Sequence, residues 1–244
     1  MFTPISVRLN LTPECVRTLQ KSFFHIQNPY KVKRVVVGMS GGVDSTVAAH
    51  LLKSKGFEVI GVFMKNWDIA DETGTCQADK EAEDAEYVCK HLQIPFHYTE
   101  FVKEYWNEVF LNLLQEYQEG LTPNPDVDCN RFIKFGHFHK HCLEQIGCNA
   151  VATGHYARST FGDFLEHHDI NRRVKLLMAM DRIKDQTLFL SQIPQEALRN
   201  TMFPIGSLTK GTLDCQIMIG LRLSILHENS THYALIRTIT IKNF

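Results

Sequence analysis

The sequence predicts an α/β fold in which a twisted parallel β-sheet carries helices on both of its faces. Short β-branched, apolar runs, typical of buried strands, alternate with stretches whose apolar residues recur at helical spacing. Continuously apolar strands separated by helices indicate a parallel sheet that is covered on both sides. The contents of 44% apolar and 22% charged residues are those of a globular protein and exclude collagen-like, coiled-coil and fully disordered chains.

Four strands and four helices are expected in alternation. The first strand, 32–38 (VKRVVVG), enters a glycine-containing turn, and the helix at 46–55 has an apolar face and ends at Gly56. A second strand at 57–64 and an acidic-faced helix at 78–92 follow. The rest is a short strand from residue 96, a long helix at 102–118, a proline-rich loop at 124–130, a helix at 131–146 and a strand at 150–153.

Charge and length divide the chain into three parts. Residues 1–34 contain six basic side chains and only one acid, Glu14, and this composition resembles a mitochondrial presequence. We therefore expect a basic extension at 1–33 and a mitochondrial location, with a disordered tail of a cytoplasmic protein as the alternative. Residues 34–205 are expected to form the catalytic domain. Residues 206–244 form a divergent tail, which is too short to fold alone.

The composition also limits the environment and the partners. No apolar run reaches the roughly 18 residues that a membrane span needs, so no membrane partner is expected. Seven cysteines without paired CxxC motifs favour single thiols in a reducing compartment over a disulfide framework or a zinc ribbon.

The turn after the first strand has the features of a phosphate site. Its two glycines permit close approach of the backbone and positive φ, and the following helix N-terminus favours an anion. Ser40, Ser45 and Thr46 add hydroxyl donors. It is neither a Walker loop nor a dinucleotide fingerprint, because both of those consensus patterns are absent.

The loop GMSGGVDS resembles that of the ATP pyrophosphatase (PP-loop) superfamily, whose fold is similar to that of adenine nucleotide alpha hydrolases. The further segments GVFMKNWD, KEYWNEVF, LTPNPDVDCNRFIKFG, ATGHYAR and KDQTLFLSQ resemble, in this order, tRNA-specific 2-thiouridylases of the mitochondrial type. The resemblance covers roughly residues 34–210. It implies that ATP adenylates the wobble uridine of a tRNA, after which sulfur replaces the 2-oxo group.

The resemblance implies two groups of ATP-binding residues, with Mg²⁺ as the companion ion. One is the loop itself, and the other consists of a methionine after the second strand and a glycine in ATGHY, for which core packing and a simple turn are the alternatives. The implied positions are Gly38, Met39, Ser40, Gly41, Gly42, Val43, Asp44, Ser45, Met64 and Gly154. No residue of the chain is assigned as a metal ligand.

The resemblance also implies the sulfur-transfer residues. Asn124, Pro125 and Asp126 would contact the target base, and Cys129 would be the nucleophile that releases sulfide from a persulfide on a second cysteine. Asp126 precedes Cys129 by three residues and is a candidate proton acceptor or donor. Arg131 and Lys134 are expected to favour the thiolate. A buried structural thiol is the alternative for Cys129.

A contact element for tRNA is implied at Lys184, Asp185 and Gln186, with a solvated polar turn as the alternative. An upstream sulfur donor or relay protein would be a further partner. The segment HFHKHC at 137–142 resembles a metal cluster, but only His137 and His141 share a helical face, so ordinary helix histidines are expected. Cys76, Cys89, Cys142 and Cys148 are expected to be structural thiols.

The chain departs from the family pattern after Lys210. The family's second cysteine has a Gly-x-Cys-Phe-like context that Cys215 lacks, so Cys215 is expected to be structural. The sequence resembles a truncated or alternatively spliced product, and it is expected to bind ATP without thiolating tRNA. Two other functions remain open: another adenylating enzyme with this loop, and a non-catalytic protein that binds ATP or tRNA.

Overall fold

A five-stranded parallel sheet forms the centre of the protein in the computed structural model, which describes residues 32–67, 77–169 and 171–213. The strands in chain order are β1 (Arg34–Met39), β2 (Glu58–Lys65), β3 (Phe96–Glu100), β4 (Ala150–Ala152), β5 (Arg158–Ser159), β6 (Leu176–Leu177) and β7 (Thr201–Met202). The sheet order is β3-β2-β1-β4-β7, and β5 pairs with β6 as a separate antiparallel pair. The predicted fold class is confirmed.

Within the described residues, five helices lie between the strands, and a further helical turn begins at Lys210. α1 (Val43–Ser54) and α2 (Gln77–His91) are regular. α3 spans 102–118 and has a π-helical turn at Trp106–Phe110. α4 spans 125–146 and is π-helical at Cys129–Phe138 and Cys142–Ile146, while α5 (Gln195–Arg199) is short. No helix in these ranges is long and apolar enough to cross a membrane.

The core consists of two apolar clusters, one on each face of the sheet. Val35 and Val37 belong to the cluster that contains the buried residues of α1, whereas Val36 belongs to the cluster that contains Cys129 and Ile133 of α4. This division follows from the strand geometry, because successive side chains of a strand point to opposite faces. All three valines of β1 are fully buried, which explains why the centre of the strand is uniformly apolar.

The structure corrects two of the predicted elements. The segment 124–130 is not a loop, because α4 already begins at Pro125, with Asn124 as its N-cap. Proline suits the first position of a helix, where its missing N–H costs no hydrogen bond. α1 likewise begins at Val43, three residues before the predicted start. The short strands β5, β6 and β7 were not predicted.

Candidate nucleotide and sulfur-transfer site

The predicted ATP-binding segments meet at one edge of the sheet. The loop 38–45 follows β1, Met64 lies near the end of β2, and Gly154 follows β4. The carboxyl ends of parallel strands share one edge, and the strand order changes direction between β1 and β4. A crevice forms at such a change of direction, and open α/β sheets bind their ligands there.

The phosphate loop is organised by its own hydroxyl groups. Ser45 Oγ donates to the carbonyl oxygen of Gly42 over 3.1 Å and accepts from the N–H of Ser40 over 3.3 Å. Thr46 Oγ1 donates to the same carbonyl over 2.8 Å. Gly42 is the N-cap of α1 and provides no side-chain cap, so the first turn keeps the unpaired N–H groups of a helix start. These donors suit an anion.

Three glycines in or next to this loop serve different purposes. Gly41 has φ +71°, and a Cβ there would lie 2.8 Å from Cβ of Asp84 on α2. A Cβ on Gly154 would lie 2.7 Å from the backbone nitrogen of Ser45, so the segment after β4 touches the start of α1 directly. A Cβ on Gly42 would meet only Ser40 Oγ, at 3.3 Å. The space next to Gly42 is therefore open to a ligand.

Asp44 joins three distant parts of the chain at the mouth of the loop. Its Oδ1 accepts a hydrogen bond from Lys210 Nζ over 2.9 Å and another from the hydroxyl of Tyr156 over 3.2 Å. Tyr156 in turn holds Gln186, because the Tyr156 N–H donates to Gln186 Oε1 and the Gln186 N–H donates to the Tyr156 carbonyl. The contacts connect the phosphate loop to the ATGHY, KDQ and LTK segments.

Asp44 also suits a companion Mg²⁺ ion. No group of three or more His, Cys, Asp or Glu residues that could hold a metal occurs in the ranges that the structure covers. Mg²⁺ is usually held by one or two carboxylates together with the phosphates of its substrate, so a single carboxylate beside the loop fits this mode of binding.

Met64 lies at the same edge of the sheet, one residue before the end of β2. It is half-buried and packs against the apolar cluster of α4. Its side chain therefore combines core packing with an accessible surface, which is compatible with both of its predicted roles. Asn66, two residues later, has a buried side-chain oxygen without a partner among the described residues.

The N-terminus of α4 carries the predicted sulfur-transfer residues. The side chain of Asn124 accepts from the N–H of Asp126 over 3.1 Å and caps the helix. Asp126 is exposed, and Cys129 is buried with 8% of its surface accessible. Residues three apart on a helix are neighbours on its surface. The pair thus combines a solvated carboxylate with a protected thiol.

The electrostatics of Cys129 differ from the expectation. Burial raises the pKa of the Cys129 thiol, the positive charge of Lys134 only partly opposes this, and the negative charge of Asp126 raises it further. Arg131 does not act on the thiol, because its guanidinium donates to Gln192 Oε1 and lies over the Phe132 ring. Lys134 favours the thiolate, as predicted, but burial outweighs its charge, and the contacts of Arg131 do not support the role predicted for that residue. The pKa of Cys129 therefore lies above the ordinary value for a thiol.

Two neighbours of Cys129 were not singled out from the sequence. Asn130 is 3% exposed and donates to the carbonyl of Phe189, while its Oδ1 is buried without a partner among the described residues. Tyr105 of α3 has its pKa raised by burial and by the charges of Cys129 and Asp126. The π-helical turns of α3 and α4 adjoin here, and such turns are frequent at functional sites.

Helix α4 also joins the sulfur-transfer residues to the phosphate loop. A Cβ on Gly38 would lie 3.6 Å from the ring of Phe138, so α4 packs on the first residue of the loop. Cys129 lies nine residues earlier, at the other end of this π-helical stretch of α4. Phe135, between them, has its ring centroid 5.9 Å from that of His155, next to Gly154.

The predicted tRNA-contact residues lie in a turn with mixed exposure. The side chain of Lys184 is exposed. The Asp185 carboxylate accepts hydrogen bonds from the N–H groups of Ala179 and Thr187. Burial raises the pKa of Asp185, but the hydrogen bonds with Thr187 and Ala179 outweigh burial and hold this pKa below its usual range. Gln186 is bonded to Tyr156. Within this element, Asp185 and Gln186 fix the turn and Lys184 is accessible.

The histidine segment and the remaining cysteines do not form a metal site in the described part of the chain. His139 is buried, whereas His137 Nε2 donates a 2.7 Å hydrogen bond to the carboxylate of Glu108 on α3. Cys89, Cys142 and Cys148 are free and buried, and burial raises the pKa of each thiol, for Cys89 to about 12. They are structural thiols, as predicted. Cys76 and Cys215 lie outside the described residues.

Comparisons with known proteins identify relatives of this chain. The family described as "tRNA methyl transferase HUP domain" matches residues 33–225. "Mitochondrial tRNA-specific 2-thiouridylase 1" of Mus musculus is 48% identical over 219 residues, covering 84% of this chain and 50% of that protein. The Homo sapiens protein of the same name is 51% identical over 194 residues, covering 73% and 46%. The chain spans about half the length of the curated relatives it matches.

Among solved structures, the U34-tRNA thiolase NcsA from Methanococcus maripaludis with its [4Fe-4S] cluster has 18% identity and a TM-score of 0.47, covering 86% of this chain and 63% of that one.

Proposed function

Since the chain belongs to the family of tRNA-specific 2-thiouridylases, whose HUP domain it contains, we propose that it activates the wobble uridine of a tRNA with ATP and directs sulfur to it. The observation that carries the proposal is the joining of a phosphate loop and a buried cysteine by one helix, through the packing of Phe138 on Gly38. The mitochondrial names of the relatives support the expected mitochondrial location.

ATP is the substrate of the first step. The N–H groups at the start of α1 and the hydroxyls of the loop would hold its phosphates, and Gly42 leaves room for them. Met64 and Gly154 flank the loop where the adenosine would lie. Mg²⁺, held through Asp44 and the phosphates, would neutralise charge on the leaving pyrophosphate. The uridine O2 attacks the α-phosphate, pyrophosphate leaves, and the 2-oxygen becomes part of an adenylate.

Sulfur transfer then depends on Cys129. Asp126 removes the thiol proton, a role that a base must fill because burial holds the pKa of the thiol above its ordinary value. The thiolate attacks the inner sulfur of a persulfide on a second cysteine, which must stand in the family's Gly-x-Cys-Phe-like context that Cys215 lacks. The attack forms a disulfide and releases hydrosulfide. Without that second cysteine, the chain is expected to stop after activation of the uridine. Hydrosulfide adds to C2 of the uridine, and AMP leaves with the oxygen. A thiol reductant restores the two cysteines, and an upstream sulfur donor renews the persulfide.

The tRNA would approach over the N-terminus of α4. Asn124, Pro125 and Asp126 stand at the exposed start of this helix, next to Cys129. Lys184 offers a positive charge on the turn that Gln186 connects to the phosphate loop through Tyr156. Enzymes that modify a base need it unstacked, as in an anticodon loop.

Pyrophosphate release tests the proposal on this chain. The protein is mixed with ATP, Mg²⁺ and an unmodified tRNA that has uridine at the wobble position, and the same tRNA with cytidine there is the matched control. We expect release only with the uridine tRNA, and loss of that release in Gly42→Ala. Absence of ATP binding would refute the proposal. ATP binding without any tRNA-dependent release would favour a non-catalytic binding protein.

A further inference from the structure

The phosphate loop has no cation of its own. Residues 38–45 contain one charged side chain, and this is the carboxylate of Asp44. ATP brings a triphosphate with several negative charges to the same place. In Walker-type loops a lysine of the loop reaches the β- and γ-phosphates and offsets this repulsion. A positively charged side chain from elsewhere in the chain would offset the same repulsion here, in addition to the N–H groups of α1 and a companion Mg²⁺ ion.

Lys210 supplies a positive charge at the mouth of the loop. It follows Asp44 by 166 residues, yet its Nζ lies 2.9 Å from Asp44 Oδ1. The side chains of the pair retain 35% and 40% exposure, so the ammonium is not sealed inside the protein. The same carboxylate oxygen accepts a hydrogen bond from the hydroxyl of Tyr156, and Tyr156 is almost completely buried.

The backbone around Lys210 is fixed by several contacts. The Lys210 N–H donates to Asp181 Oδ2 over 2.9 Å. Leu213 is fully buried, and its N–H closes a helical turn on the carbonyl of Thr209. A Cβ on Gly206 would collide with the carbonyl oxygen of Ala157, so the chain before Lys210 lies against the segment that follows β4. This packing holds the backbone of Lys210 in a position from which its ammonium group reaches Asp44 in the loop.

We propose that Lys210 is the phosphate-binding cation of this site. Before nucleotide binds, its ammonium pairs with Asp44 and reduces the repulsion that the carboxylate exerts on an incoming anion. With nucleotide present, the ammonium donates to oxygens of the β- and γ-phosphates, and Asp44 becomes available to a companion cation. The inference rests on the proposed function only in taking ATP as the nucleotide. Inorganic pyrophosphate contains the same two linked phosphate groups, so its binding tests Lys210 independently of ATP.

Calorimetric titration of the full chain tests this role. The ligands are ATP, inorganic pyrophosphate and AMP, and the variants are Lys210→Met, which keeps the apolar stem, and Lys210→Arg, which keeps the charge. Lys175→Ala is the control, because this exposed lysine directly precedes β6, which pairs with β5 outside the five-stranded sheet. A charge-assisted hydrogen bond is worth a factor of roughly 10 to 100 in affinity.

We expect Lys210→Met to weaken the binding of ATP and of pyrophosphate by at least about 10-fold, and the binding of AMP by less than about threefold. Lys210→Arg should restore most of the loss, and added salt should weaken pyrophosphate binding less in Lys210→Met than in the native chain. Unchanged affinities, or equal losses for AMP and ATP, would overturn the role of Lys210. If the native chain bound pyrophosphate but not ATP, the proposed function would be refuted. The pyrophosphate titrations of the variants would still test the role of Lys210. Binding of neither ligand would overturn both.

Discussion

Replacing Gly154 by alanine should damage the phosphate loop from a position outside it. The added Cβ would lie 2.7 Å from the nitrogen of Ser45, 2.8 Å from the carbonyl carbon of Asp44 and 3.1 Å from its oxygen. Ordinary contacts begin near 3.5 Å, so the segment after β4 and the start of α1 must separate by roughly 0.8 Å. All three neighbours are backbone atoms, which cannot yield by a rotamer change.

The separation has two measurable costs. Overpacking of this kind costs about 1–3 kcal/mol in the free energy of unfolding, which corresponds to a fall in Tm of about 2–12 °C for a domain of this size. The same shift moves the N–H groups of the first turn of α1 away from the phosphates. Because displacements of about 1 Å at a site can cost as much as 100-fold, we expect ATP affinity to fall by at least about 10-fold.

Thermal unfolding and ATP titration of three variants test this reasoning. Gly154→Ala should lower both Tm and ATP affinity. Gly42→Ala should lower ATP affinity but change stability by less than about 1 kcal/mol, because its Cβ meets only Ser40 Oγ inside the protein. Gly211→Ala, whose Cβ would meet no described atom within 4 Å, is the control for both measurements. A native Tm and native ATP affinity in Gly154→Ala would refute the reasoning.

Three further predictions concern the thiol, the buried histidine and the N-terminal arm. Cys129→Ser in a version of the protein that thiolates tRNA should keep ATP binding and lose 2-thiouridine, measured by mass spectrometry, because a hydroxyl cannot resolve a persulfide; retained thiolation would remove Cys129 from the mechanism. Burial lowers the pKa of His139 to about 4, so stability should fall as pH drops from about 6.5 towards 4, by on the order of 3 kcal/mol. His139→Leu should flatten that dependence in denaturant titrations, and parallel curves for the two proteins would contradict the assignment. Residues 1–33 should carry a fused reporter into mitochondria in cell imaging, and a diffuse cytosolic signal would reject the targeting prediction.

The sequence by itself determined the α/β class and the position of the phosphate loop. The apolar centre of β1 needs cover on both sides, and the alternation of Val35, Val36 and Val37 between two clusters provides it. The glycines, hydroxyls and helix start of the loop are neighbours along the chain, so their chemistry is visible locally. The block around Cys129 was informative for the same reason, because Asp126 and Cys129 are one helical turn apart.

Only the tertiary structure decided which distant groups act on these residues. The ammonium of Lys210 reaches Asp44 across 166 residues because the segment after β7 folds back onto the sheet edge. Proximity in sequence was misleading for Cys129, since Arg131 turns towards Gln192 and burial determines the direction of the thiol pKa shift. Charge and burial act through space, and a linear sequence does not contain the distances on which both depend.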